Sequence, residues 1–401
     1  MVVSNRRRPA VTASAGRAAV TFRPTFAEVD LGSVRHNVRA LRPDGVELMA
    51  VVKADGYGHG SVPVARAALE AGATWLGVAL VEEGIVLRDA GIEAPILVLT
   101  EFPPGSERDA LARALTPSVY TDPGLSALVA AAGAGGVGVH VKLDTGMHRV
   151  GLPPERTVAF VGDVIDGRLR FDGLWTHLAT SEDLGDPFMG EQLGRFGAAV
   201  GALAAAGIPR PRYLHAANTG GVLAGPEAHL DLVRVGIGLY GVAPGPDVAG
   251  RAELRPVMAW TSRVAMTKRV AAGERLSYGL RYRLERASTI ATVPVGYADG
   301  YSRRMSDGAS VLIGGRRHPV AGTVTMDQIL VDCGDAHVAP GDDVVLLGAQ
   351  GHERISADEM ASWTGTIAYE VLCGISERVP RTYADVGGAV VPMAPASGAA
   401  T

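Results

Sequence analysis

Between residues 47 and 237 the chain repeats one rhythm: a short apolar run, a break, then an Ala- and Leu-rich stretch of helical period. The runs are ELMAVVK, TWLGVAL, PILVLT, PSVYT, VHVKLD, RFDGLWTH, RYLHAAN and DLVRVGI. Stretches such as SVPVARAALEAG and GEQLGRFGAAVGALAAAG separate many of them. Apolar runs without polar alternation suit strands buried on both faces, and such strands joined by helices run parallel. Eight units of this kind are what a closed (β/α)8 barrel requires, and an open doubly wound sheet is the alternative.

After about residue 255 the texture changes. MAWTSRVAMTKRV, ASTIATVPVGY, ASVLIGG, HPVAGTVTMDQILVDCG and DDVVLLG are Val/Thr-rich runs separated by Gly, Pro and Asp turns, which predicts a mostly antiparallel β domain. Ser356 with Glu359 forms a capping box before a helix, and TIAYEVLCGI predicts another helix. The expected organisation is a disordered leader over 1–23, a barrel domain over 24–254, a β-rich domain over 255–388 and a disordered tail over 389–401. The basic, small-residue start of the chain breaks too early for a signal-peptide core, so a cytoplasmic protein is expected.

Composition narrows the function classes. Hydrophobic residues make up 47% of the 401 and charged residues 20%, the profile of a well-cored enzyme. A net charge of −4, with no basic clusters interleaved with aromatics, gives no footprint for nucleic acid. No run reaches the ~18 to 20 apolar residues of a membrane span. The two cysteines, Cys333 and Cys373, have no metal-ligand spacing and are expected to be buried, reduced thiols, with no metal site. Residues 133–138, GAGGVG, match G-x-G-x-x-G, but a helical stretch precedes and a strand follows, the reverse of the dinucleotide fingerprint.

In a barrel, reactive groups sit at the carboxyl ends of the strands. Here those ends carry Lys53, Lys142, Asp144, His177, His215, Asn218 and Arg234. Phosphate sites in this fold favour the loops after strands seven and eight, here HAANTGG and RVGIG. Asn218 and Thr219 can cap a helix and donate to phosphate, and Gly236 lets the backbone of Gly236 and Ile237 come close. A lysine among apolar strand residues and other cations is driven toward its neutral amine, which can form a Schiff base. Pyridoxal phosphate, a phosphorylated aldehyde, unites Lys53 with the phosphate loops.

The motifs AVVKADGYGHG, KLDTGMHRVG, THLATSED, HAANTGG, VRVGIGLYG, LSYGLRY, VGYADGY, TVTMDQ and IAYEVLCGISERVPR resemble, in order and spacing, those of the alanine racemase family, over about residues 25–385. The resemblance implies a homodimer that interconverts L- and D-alanine with pyridoxal phosphate and supplies D-alanine for peptidoglycan. It implies that Lys53 binds the cofactor and is one catalytic base, and that Tyr278, reaching in from the partner subunit, is the other. Two bases on opposite faces are what inversion at Cα demands.

By the same resemblance, Arg234 bonds the pyridine nitrogen, and Tyr57, Asn218, Thr219, Gly236, Ile237 and Tyr369 cradle the phosphate. His177 contacts the ring or Arg234, Arg149 and the Met326 backbone hold the substrate carboxylate, and Tyr297 lines the narrow mouth. Lys142 matches a lysine often carbamylated in the family. The sequence departs from the usual pattern at Thr325, Ala368 and Thr219, without loss of a catalytic group. His59 and His148 are read as loop residues. The competing functions are a racemase of serine or another small amino acid, a fold-related amino-acid decarboxylase, and a non-catalytic pyridoxal-phosphate carrier.

Overall fold

A computed structural model describes residues 22–133, 136–385 and 388–391. The expected leader up to residue 21, and the tail beyond 391, lie outside them, as do Ala134 and Gly135 of the glycine-rich stretch.

Strand β1, Phe26–Asp30, is followed by eight strands that match the eight predicted runs: β2 Glu47–Val51, β3 Trp75–Val78, β4 Ile96–Val98, β5 Leu115–Val119, β6 Gly138–Lys142, β7 Arg170–Trp175, β8 Tyr213–His215 and β9 Leu232–Val235. They form one parallel sheet in the order β8-β7-β6-β5-β4-β3-β2-β9. The ring closes where Asp231 N–H donates to the Leu214 carbonyl at 3.1 Å and Arg234 N–H to the Ala217 carbonyl at 3.0 Å. This is the (β/α)8 barrel that the rhythm predicts, and its strands are mostly apolar because helices cover their outer faces.

The second unit comprises β10 Met258–Arg263, β11 Met266–Val270, β12 Arg275–Leu276, β13 Tyr282–Arg283, β14 Ser288–Val293, β15 Ser310–Ile313, β16 Arg316–Pro319, β17 Ile329–Asp332, β18 Asp343–Gln350, β19 Glu353–Ile355, β20 Arg381–Asp385 and β21 Gly388–Val391. Its largest sheet runs β16-β15-β18-β10-β1-β20-β21, and every pair in it is antiparallel except β1 with β20. Strand β1, which precedes the barrel in sequence, is therefore hydrogen-bonded into the β-rich unit. Arg23 adds a second tie, a bidentate pair with the fully buried Asp299 at 2.8 and 3.0 Å.

Local signals are met in part: the Ser356 half of the capping box forms, and one cysteine departs from expectation. The Ser356 hydroxyl accepts from Glu359 N–H at 3.1 Å and starts the helix Ala357–Thr364. The helix Asp122–Ala132 precedes the glycine-rich stretch and β6 follows it, an arrangement without the strand-then-helix order of a dinucleotide site. Cys333 is buried, but Cys373, in the helix Ala368–Gly374, is exposed. Among the described residues no helix is long and apolar enough to cross a membrane, and no three His, Cys, Asp or Glu gather as metal ligands.

Candidate active site

A cavity of about 500 Å³ opens at the carboxyl ends of the barrel strands. Lys53, Tyr57, Lys142, Arg149, His177, Asn218, Thr219, Arg234, Gly236, Ile237 and Tyr369 all line it, together with Trp175, Glu182 and Cys373. The barrel half of the expected site is thus gathered in one place. Four of its lining groups are cationic and Glu182 is the acidic one, which makes the cavity a natural receptor for an anion.

Lys53 stands two residues past β2, at the start of an unusual turn. Ala54, Asp55, Gly56 and Tyr57 have φ of 52°, 50°, 61° and 51°, one turn of left-handed helix. For the three residues with a Cβ this conformation costs about 1 to 2 kcal/mol each, so the surroundings must hold it. Ala54 N–H donates to Glu83 Oε1 at 2.6 Å, and Ser61 N–H to Asp55 Oδ1 at 2.8 Å. Arg381 Nε reaches from β20 to the Gly58 carbonyl at 3.0 Å.

His59 is the staple of that turn. Its Nδ1 lies 3.1 Å from the Gly56 carbonyl and 2.9 Å from the Tyr57 carbonyl; carbonyls only accept, so Nδ1 carries the proton. The ring is fully buried against Tyr240, and burial holds its pKa down at about 4, keeping it neutral. Tyr240 in turn donates to the Val51 carbonyl at 3.1 Å and packs on Tyr57 with ring centroids 4.8 Å apart. The histidine without evident chemistry in the sequence is a structural part of the lysine's mount.

Burial, then the charge of Arg149, lowers the Lys53 pKa, which favours the free amine. Lys142, last residue of β6, is 3% exposed; its Nζ donates to the Val150 carbonyl at 2.6 Å and lies 4.9 Å from the Trp175 ring centre. Burial, then Arg234 and Arg149, brings its pKa down to about 8. No ion pair with a carboxylate forms at Lys142 among the described residues, so the ordinary salt-bridged lysine is not what the fold builds.

Arg234 in β9 is 3% exposed. Its guanidinium donates to the carbonyls of Thr176 at 2.8 Å and Ala216 at 3.0 Å, to His215 Nδ1 at 3.2 Å and to His177 Nδ1 at 3.3 Å, with the Trp175 face 4.7 Å away. None of these partners is a carboxylate. Burial lowers its pKa to about 9, still protonated at neutral pH.

At the far loops, Asn218 Oδ1 accepts from Gly221 N–H at 2.9 Å and caps the helix Thr219–Ala224. Thr219 Oγ1 accepts from Gly236 N–H at 3.1 Å and Gly238 N–H at 3.4 Å. A Cβ on Gly236 would stand 2.5 Å from the Tyr57 hydroxyl, so only glycine lets backbone and phenol meet there.

Tyr278, Met326 and Tyr297 do not line the cavity of their own chain; they are 75%, 52% and 41% exposed. They form a second group on the β-rich unit. Thr323 Oγ1 donates to the Tyr278 carbonyl at 2.8 Å, Tyr297 N–H to the Thr325 carbonyl at 3.0 Å and Ala298 N–H to the Met326 carbonyl at 3.1 Å. Ser277 and Leu280, flanking the Tyr278 turn, have φ of 60° and 50°, a strained loop that holds the phenol outward. Sequence reasoning did not single out Trp175, Tyr240 or Glu182. Trp175 sat inside the run RFDGLWTH, and its position at the strand's end was the available signal.

Fold and cavity together define a (β/α)8 enzyme whose cationic cavity joins a mounted lysine to an anion-ready pair of loops. Residues 29–244 match the family model described as alanine racemase, N-terminal domain, and 257–383 the one described as alanine racemase, C-terminal domain. The chain belongs to the alanine racemase family and is a racemase enzyme. It is 51% identical over 372 residues to an alanine racemase of Symbiobacterium thermophilum, covering 90% of this chain and 97% of that one. The solved alanine racemase of the D-cycloserine producer Streptomyces lavendulae superposes with a TM-score of 0.85 at 40% identity, covering 91% of this chain and 98% of that one. The Bacillus anthracis alanine racemase, solved with bound L-Ala-P, gives 0.85 at 36% identity, covering 93% and 99%.

Proposed function

We propose that this enzyme interconverts L- and D-alanine with pyridoxal phosphate in the cavity, as a homodimer in which each site combines Lys53 of one chain with Tyr278 of the other. The observation that carries the proposal is Arg234, a buried cation aimed into the cavity whose bonds all go to neutral acceptors. Such a group fits the lone pair of a pyridine nitrogen, whereas a decarboxylase of similar architecture pairs that nitrogen with an acid. When bound, pyridoxal phosphate supplies an aldehyde that condenses with amines and an electron sink that acidifies the amino acid Cα–H.

The chain's own residues do the rest. Lys53, with its lowered pKa, is the amine that holds the aldehyde and takes or returns the Cα proton on one face, the D enantiomer's. Tyr278 takes or returns it on the other, where the cations of the cavity would stand beside its phenol. Thr219, Tyr57, Tyr369, Asn218 and the backbone of Gly236 and Ile237 hold the phosphate; Arg149 and the Met326 backbone hold the substrate carboxylate; Tyr297 narrows the mouth. Because Arg234 donates and keeps its own proton, it would leave a bound ring nitrogen unprotonated and so restrain side reactions of a strong electron sink. A cytoplasmic location and a supply of D-alanine to peptidoglycan complete the reading.

Lys142 is the proposed carbamylation site. Its neutral amine attacks the carbon of CO2, a C–N bond forms and one amine proton leaves to solvent, so a cation becomes an anion able to pair with Arg149. Above about pH 8 at least half of the amine is free. Crystals grown at pH 8 with bicarbonate are expected to show three extra atoms on Nζ, and a bare amine there contradicts the assignment.

A chiral assay of cofactor-loaded protein tests the function as a whole. Either enantiomer of alanine is expected to end as an equal mixture, at a rate at least tenfold above that with L-serine, because ~1 to 3 kcal/mol separates substrates differing by one small group. Racemisation of serine in preference to alanine would reassign the substrate, and inert protein would overturn the reading.

A further inference from the structure

Behind Arg234 a file of imidazoles runs into the barrel interior. His215 Nδ1 faces Arg234 NH1 at 3.2 Å, and His215 Nε2 faces His140 Nδ1 at 2.9 Å. Both histidines are fully buried. Arginine has only donors, so His215 Nδ1 must be bare and its proton must sit on Nε2. That proton is given to His140, so His140 Nδ1 must also be bare and its proton must sit on Nε2. The outer nitrogen of His140 has no hydrogen-bond partner and lies among the rings of Trp75 and Tyr213, 5.2 and 5.8 Å away by centroids.

The fold makes room for this file deliberately. A Cβ on Gly173 of β7 would stand 2.4 Å from His140 Nδ1, so the glycine is the notch that lets the second imidazole approach. His215 lies flat on Trp175, with ring centroids 5.6 Å apart and planes 9° from parallel, so it is held by stacking on one side and by His140 at its edge.

We propose that His140 is a positioning residue for the reaction: by accepting the Nε2–H of His215 it keeps His215 Nδ1 bare, and so directs the Arg234 guanidinium toward the cofactor's ring nitrogen. The inference rests on the proposed cofactor reading. Every donor in the file points away from the cavity, so no imidazole in it can pass a proton to that nitrogen. The charged groups that face the pair are Arg234 on one side and Asp172 of β7 on the other; with burial acting first, the His140 pKa falls to about 4 and the pair stays neutral.

Neutron crystallography of the perdeuterated holoenzyme reads the protons directly. Deuterons on Nε2 of both His215 and His140 are expected, and one on His140 Nδ1 overturns the inference. Two variants give the functional readout. His140→Leu keeps the bulk and removes the acceptor; it is expected to keep its cofactor, to lower kcat about tenfold or more with KM for alanine within threefold, and to shift the visible absorption of the bound cofactor. His140→Asn, whose Oδ1 replaces the Nδ1 acceptor, is expected to restore both kcat and the absorption. A Leu variant with unaltered kcat and absorption, or an Asn variant no better than Leu, overturns the inference. The two readings fail separately: unaltered protein that takes up no pyridoxal phosphate overturns the cofactor reading, while a deuteron on His140 Nδ1 in cofactor-loaded protein overturns this inference alone.

Discussion

Replacing Lys53 with alanine is expected to lower racemisation by more than about 10⁴-fold, because the change removes the proposed catalytic base and the proposed cofactor anchor together. The expectation follows from how the lysine is mounted. The left-handed turn 54–57 forces the backbone away from the strand direction straight after Lys53, and the His59, Asp55 and Arg381 bonds hold it there. Nζ therefore stands in the cavity with Arg149 and burial depressing its pKa, and no neighbouring side chain repeats that arrangement: Lys142 is committed to the Val150 carbonyl. Borohydride reduction of loaded protein followed by peptide mass spectrometry should find the cofactor's mass on the Lys53 peptide of the unaltered chain and on no peptide of the variant. Attachment at Lys142 in the unaltered chain would contradict the assignment.

Tyr278→Phe is expected to lower turnover by ~10²- to 10⁴-fold, the range for loss of one acid or base, while cofactor uptake stays as in the unaltered protein. The phenol lies outside the cavity of its own chain, and the substitution leaves every residue proposed to hold the cofactor's phosphate and ring nitrogen unchanged. The loss should depend on the enantiomer. In D2O, exchange of the Cα proton of D-alanine, assigned to Lys53, should persist in the variant, and exchange from L-alanine, assigned to Tyr278, should collapse. Equal loss from both enantiomers would remove the division of labour between the two bases.

What the sequence made legible had a physical cause in each case. The barrel strands were readable because strands buried on both faces are written as continuous Val, Leu and Ile, and the runs and the strands agree to within about three residues at their ends. The place of β1 was not readable: its pairing with β10 and β20 joins residues more than 200 positions apart, and nothing in a five-residue run names so distant a partner. The two-residue strands β12 and β13, which frame the Tyr278 turn, are too short to leave a period.

The site divided along similar lines. Strand-end position pointed to Lys53, Lys142, His177 and Arg234, since chemistry in this fold gathers at one end of the barrel. His59 and His140 gave no such signal. One bonds its own backbone in a conformation that sequence does not announce, and the other lies inside the barrel, where a histidine reads as an interruption of an apolar strand. The exposure of Tyr278 was equally invisible in its own residues; the expectation of a site built by two chains came from the family resemblance alone.

Mixing the Lys53→Ala and Tyr278→Phe chains tests the central claim, a racemase site shared between subunits, most directly. In the proposed homodimer, neither chain alone provides an intact site. In a hybrid dimer one site carries both defects and the other pairs an intact Lys53 with an intact Tyr278. Equal amounts of the two variants, unfolded and refolded together with cofactor, should therefore recover about a quarter of the unaltered racemisation rate, since half the dimers are hybrids with one working site in two. A mixture as inactive as its components would mean that Lys53 and Tyr278 do not meet across two chains, and the account would fail.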